Sequence, residues 1–256
     1  MRDIELIYSK DKKESYQLPE FWHELNGKQL VGWAQLCLQK KDFLEAKIYF
    51  IQRFYPFSKT AQKWLRKHHF IEIVQRMTFL TQSPRMPCWL ITSFRLWFIR
   101  YEGPGDALSA MTIAEFRLAE ICYTKYLKSH DKQFLIALAA ILYRPKREQD
   151  FSSDRRKVLA KCSIDRRTKR FKRLSPALLQ AILLNYEGCR SFIHLRYASL
   201  FKTNGHEASV QDFQDIIDAV AGDKLGTITQ TEQTNIHRFF RHLMNMIKAK
   251  TELQPS

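Results

Sequence analysis

Apolar residues recur three and four positions apart over most of this chain, and each recurrence begins behind residues suited to open a helix. Asn26 with Gln29, Asp42 with Glu45, Thr112 with Glu115, Ser209 with Asp212 and Thr229 with Glu232 all have capping-box spacing or its acidic variant. At such a pair the first side-chain oxygen accepts an N–H that the helix leaves unpaired, and the second side chain can reach back to the cap. Met111 and Phe116 stand as a hydrophobic staple around the Thr112 start, and Leu174 and Leu179 repeat it around Ser175-Pro176. The periodicity predicts helices over 27–39, 43–54, 59–79 with a break, 113–128, 132–143, 154–162, 176–201, 210–221 and 230–250. The helix over 176–201 is apolar on more than one face, so it should pack from several sides, with Gly188 marking a close helix approach or a local bend.

One region breaks the helical spacing. Between Pro84 and Asp106, Trp, Ile, Thr and Phe crowd together and the run ends in Gly103-Pro104-Gly105, a composition suited to a strand or hairpin around 86–101. "IELIY" near the start offers it a partner strand. The predicted fold is therefore mainly α, a multi-helix bundle with a small β element. It divides into an N-terminal helical region, 1–82, and a larger helical domain, 83–256, that holds a basic segment, 154–173, and the central helix, 176–201.

Composition narrows the class. At 45% hydrophobic and 13% aromatic, the 256 residues can bury a sizeable core, and only eight glycines and eight prolines interrupt it. The five cysteines are scattered and never form a Cys-x-x-Cys pair, and the opening "MRDIELIYSKDKKES" is charged throughout, so a reducing cytoplasm is the expected compartment. The longest apolar region is interrupted by Glu187, Arg190, His194 and Arg196, each costly at bilayer depth, and no membrane association is expected.

A formal charge of +16 favours anionic partners. Its densest source runs from Arg155 to Arg173, ten Lys or Arg against the single acid Asp165. On a helix Arg166, Lys169, Arg170 and Arg173 form one stripe, and each like-charged pair four apart costs about 0.2–0.5 kcal/mol unless an anion lies near. A water-facing surface is the first reading of this run. The alternatives are a nucleic-acid grip through Arg155, Arg156, Lys157, Arg166, Arg167, Lys169, Arg170, Lys172 and Arg173, or an acidic protein partner on the same residues.

Chemistry has little to stand on. The eight histidines include no His-x-x-x-His pair, "GPGD" lacks the Lys-Ser/Thr of a phosphate loop, and no nucleophile signature surrounds a cysteine. No catalytic, metal or cofactor site is expected.

Four stretches, "YEGPGDALSAMTIAEF", "ALAAILYRPKR", "AILLNYEGCRSF" and "DKLGTITQTEQTNIHRFFRHLM", resemble in this order a family of phage and prophage tail-module proteins in the tail assembly chaperone position. The resemblance covers about the C-terminal two-thirds of the chain. It implies a non-enzymatic protein of the bacterial host cytoplasm that binds a tape-measure or other tail structural protein. A tape-measure chain is long, apolar and helix-prone, so a chaperone of it needs exposed docking faces and reversible affinity. The alternatives are a nucleic-acid-binding protein of mobile-element origin and a structural component of the virion.

Overall fold

The structure, a computed structural model, describes residues 2–9, 12–39, 42–55, 57–65, 67–147, 154–201 and 226–252. The predicted helix over 210–221, with its Ser209 start, lies outside them. The fold is mainly α with a small antiparallel sheet, as the spacing predicts.

The chain divides into two compact units, Met1–Ile91 with Ser175–Gly188, and Thr92–Leu174 with Cys189–Ser256. The break therefore falls after Ile91, not after residue 82, and the first unit also takes the opening of the long helix.

In the first unit, strands β1 (Arg2–Ser9) and β2 (Lys12–Leu18) form a hairpin. "IELIY" thus pairs with its own neighbour rather than with the region around 86–101, because a short connection closes at far less entropic cost than one of eighty residues. Helices α1 (Gly27–Gln39), α2 (Phe43–Phe54), α3 (Lys59–Trp64) and α4 (Lys67–Arg76) follow, with the expected break near residue 65. The Asn26 box closes as predicted: the Asn26 N–H donates to Gln29 Oε1 at 2.8 Å and the Gln29 N–H to Asn26 Oδ1 at 3.0 Å. Buried Trp33 meets Phe50 edge-on at 5.7 Å, and Phe50 meets Phe54 at 5.1 Å.

Helix α8 (Pro176–Arg196) starts behind Ser175, whose hydroxyl accepts from the Leu178 N–H. Within the first unit its buried Asn185 donates to the Cys88 carbonyl at 3.0 Å and accepts from the Ile91 N–H at 3.2 Å, fixing the irregular segment that precedes the hairpin. The close approach at Gly188 is made by this irregular segment rather than by a helix: a Cβ there would stand 2.6 Å from Met86 Cγ, and the Gly188 carbonyl accepts from the Met86 N–H.

The second unit opens on strands β3 (Ser93–Leu96) and β4 (Ile99–Glu102), so the hairpin expected near 86–101 begins only at Ser93. A third strand, β5 (Arg144–Pro145), completes the order β3-β4-β5. Helices α5 (Ile113–Ser129) and α6 (Lys132–Leu142) pack on each other, and α6 packs on α7 (Lys161–Phe171). After α8 come α9 (Ala198–Phe201), α10 (Ile228–Gln233) and α11 (Ile236–Glu252).

Three predicted helices are corrected. The one over 176–201 is interrupted at Tyr197, between α8 and α9. The one over 230–250 is split at Thr234–Asn235, where the backbone bridges to Thr112: the Ile113 N–H donates to the Thr234 carbonyl and the Ile236 N–H to the Met111 carbonyl. The cap expected at Thr229 with Glu232 stands instead at Thr227 with Gln230. The helix over 154–162 is extended chain up to Ala160. Asp154 accepts from the Arg156 N–H at 3.0 Å, and the Lys157 N–H donates to the Pro145 carbonyl, so local side-chain and strand-like bonds displace the helical ones.

Burial lowers the pKa of two histidines in this unit. The Ala107 carbonyl can only accept, so His237 donates to it through Nε2 at 2.8 Å, and Nδ1 receives the Tyr197 hydroxyl at 3.0 Å. His194 stacks on Phe201 at 4.0 Å, and burial, with Arg190 nearby, pushes its pKa down to about 4 from 6.5. A base whose folded pKa is depressed contributes stability that is full above pH 6.5 and is lost as pH falls toward 4. Discounted for partial exposure, the loss is on the order of 2 kcal/mol. Denaturant midpoints at several pH values should show His194→Gln removing that part of the acid slope; an unchanged slope refutes the assignment.

Candidate docking surface

The nine basic residues singled out by the sequence separate into two groups. Arg155, Lys157, Arg166, Lys169, Lys172 and Arg173 are exposed and Arg170 is half-buried, whereas Arg156 and Arg167 are turned into the core at 2% and 5% exposure. These two are corrections to any reading that sets all nine on one phosphate-facing surface. The single stripe does not persist either, because α7 stops at Phe171 and Arg173 lies in the following turn.

Arg156 is held by a buried charge network that composition does not announce. Its Nε donates to Asp154 Oδ1 at 2.8 Å, its Nη2 to Glu115 Oε2 at 3.2 Å and to the Ala110 carbonyl at 2.7 Å, and its Nη1 to the Leu142 carbonyl at 3.0 Å. Arg144, 1% exposed, bonds Glu115 Oε1 at 2.7 Å and Asp154 Oδ2 at 2.8 Å. Two acids thus clamp two arginines and tie α5, β5 and the extended segment 154–160 together. Burial, and Arg156 beside it, lower the Arg144 pKa, while Glu115 and Asp154 oppose that shift. Arg167 donates to the Ala140 carbonyl at 2.8 Å and to Ser163 Oγ at 2.8 Å. Burial, then Arg144, push its pKa down to about 10, so it stays charged at neutral pH.

Sequence reading assigned Glu115 a capping role only. Thr112 does accept from the Glu115 N–H at 3.3 Å, but the carboxylate turns inward to the arginines instead of back to the cap.

Aromatic residues of α7 and β4 form the base for a feature no motif marked, the tip of the β3–β4 hairpin. Leu96 pairs with Ile99, so Trp97 and Phe98 alone make the turn. Two-residue hairpin turns need positive φ, hence their preference for Gly and Asn; Trp97 adopts φ 55°. Phe98 is wholly exposed at 103% and Trp97 at 57%. Behind the tip the hairpin is firmly seated: Phe171, fully buried, meets Tyr101 edge-on at 4.9 Å and Phe94 at 5.5 Å, and Phe94 lies 4.8 Å from Tyr143.

One cation touches the tip and two more stand on the strands leading to it. The Arg173 guanidinium lies 4.6 Å from the centre of the Trp97 ring. Arg95 and Arg100 face each other across the strands, both exposed, and Arg100 Nε reaches Glu102 Oε1 at 2.6 Å. Like charges directly opposite on a strand pair are unfavourable. The signal for this site was present in "SFRLWFIRYE", where alternation about Leu96 and Ile99 leaves Trp and Phe in the turn, but only pairing reveals the register.

The tip carries little of the stability. Trp97→Gly should change it by no more than about 1 kcal/mol, because relief of a left-handed backbone, about 1–2 kcal/mol for an L residue, offsets the lost cation–π contact and the partial cover of the ring. A thermal melt checks this; a large loss would show that Trp97 is part of the core.

Among the described residues no group of His, Cys, Asp and Glu is arranged to hold a metal ion, and no helix is long and apolar enough to cross a membrane. No family model, curated protein or solved structure matches the chain.

Proposed function

We propose that this protein is a non-enzymatic tail-assembly factor of phage or prophage origin, acting in the host cytoplasm by binding a structural tail protein of the tape-measure kind. The observation that carries the reading is the hairpin tip: a strained Trp97 and a wholly exposed Phe98 on a rigid aromatic base. A soluble fold gains nothing from displaying such a pair to water, whereas aromatic anchors on a preorganised support are what partner recognition uses. The resemblance of four stretches to tail-module proteins supports the same reading and supplies the class of partner. Co-expression with the tape-measure protein of the same phage is expected to raise that partner's soluble yield and to bring both down together. Unchanged yield with no co-purification rejects it.

A second reading has one observation in its favour. Exposed aromatics beside exposed Arg95, Arg100 and Arg173 are also the surface on which single-stranded nucleic acid stacks. It requires binding that falls steeply with salt, by roughly one unit of logarithmic slope per phosphate contact.

A further inference from the structure

We propose that the tip of the β3–β4 hairpin, where Arg173 lies against Trp97, Phe98 is exposed and Arg95 and Arg100 stand on the adjoining strands, is a docking knob for an acidic polypeptide segment carrying apolar anchors. The inference rests on the protein-binding reading and deepens it by naming the surface and the chemistry of what covers it.

Three local rules are broken at one place. A tryptophan occupies a left-handed turn position where glycine or asparagine is favoured, a phenylalanine is displayed without cover, and two arginines are set opposite each other. Sequences conflict with local preference in this way mainly where function demands it. The last two are relieved by the same occupant, and the first sets the Trp97 ring where that occupant reaches it. Apolar side chains would cover Phe98 and the exposed part of Trp97, and carboxylates would neutralise Arg95 and Arg173 and add to the Glu102 already at Arg100. Because Phe94, Tyr101 and Phe171 brace the hairpin, the knob needs little ordering on binding, which favours affinity.

The same geometry argues against a nucleic-acid strand. A stacking platform needs successive free aromatic faces, yet Arg173 covers one face of Trp97 and leaves Phe98 as the single fully open ring. A backbone-tracking groove needs a continuous run of cations. Arg156 and Arg167 are withdrawn into the core, and exposed Asp165 interrupts the surface of α7.

The test uses the full chain and a fluorescein-labelled peptide with leucine at helical spacing and glutamate elsewhere. Controls are the same peptide with lysine in place of glutamate, and an oligothymidylate. Fluorescence anisotropy is expected to show salt-sensitive binding of the acidic peptide and none of the lysine peptide. Trp97→Gly, Phe98→Ser and Arg173→Glu should each weaken it by at least about tenfold, the loss typical of an interface anchor. Phe98 touches so little that Phe98→Ser keeps the fold, and circular dichroism of each variant verifies this. The proposal is overturned if the acidic peptide does not bind, if these variants bind it as wild type does, or if the oligothymidylate alone is bound and lost on mutation. Co-purification with the tape-measure protein is read separately. If wild type and tip variants both capture it, the assembly reading stands and this surface is wrong; if wild type captures nothing, the assembly reading fails whatever the peptide does.

Discussion

Arg156→Ala is expected to destabilise the second unit by about 3–5 kcal/mol, whereas Arg155→Ala, one residue away, should change it by less than about 0.5 kcal/mol. The two residues are indistinguishable by composition. Arg156 donates to two carboxylates and two carbonyls at 2% exposure, while Arg155 is exposed. Removing the Arg156 guanidinium leaves Glu115, itself 5% exposed, facing Arg144 with one partner instead of two, and strips the Ala110 and Leu142 carbonyls of a donor. Unpaired buried groups cost their full desolvation, which is why the loss should exceed that of a surface ion pair several-fold. In urea the midpoint should fall by roughly 1–2 M for a typical slope. Glu115→Ala should behave similarly, and the double variant should cost less than the sum because both belong to one network. Equal effects of Arg155→Ala and Arg156→Ala would refute the buried placement. Arg166→Ala against Arg167→Ala repeats the contrast on α7, with Arg167 the costly one.

Phe171→Ala should cost about 3–5 kcal/mol, the loss expected for deleting a fully buried aromatic ring whose cavity cannot collapse. Its ring fills the space between Tyr101 and Phe94, the residues on which the hairpin is seated. Besides the loss of stability, amide exchange over Ser93–Glu102 should accelerate, and binding of the acidic peptide should weaken although Trp97 and Phe98 are unchanged. A cost below about 1 kcal/mol, or unaltered exchange in the strands, would mean that the aromatic cluster does not brace the tip.

Much of the helical layout was legible because a helix start is local chemistry. Asn26 with Gln29, Asp42, Thr112 and Ser175 each meet N–H groups two or three residues on, and such pairs are visible to anyone counting along the chain. Two of the errors fall where a local signal was overridden by a distant partner. At 154–160 a run of good helix formers is held extended, since Arg156 finds Glu115 forty-one positions away and the backbone pairs beside β5. The continuous helix over 230–250 is interrupted because Thr234 and Asn235 meet the chain near Thr112. "IELIY" found its partner next door. For the candidate site, the basic residues were visible but their fates were not, and the aromatic tip was visible only as composition.

From residue order alone come the predominance of helix, most of its starting points, one hairpin and a strongly basic character, because capping, periodicity and charge are properties of neighbours. Three-dimensional packing alone sorts the arginines into those buried on Glu115 and Asp154 and those left in water, and sets Trp97 and Phe98 outward beside Arg173. A charge stays in the core where acids or backbone carbonyls converge on it, and because Glu115 and the Ala110, Ala140 and Leu142 carbonyls come from elsewhere in the chain, that convergence has no signature in any single stretch.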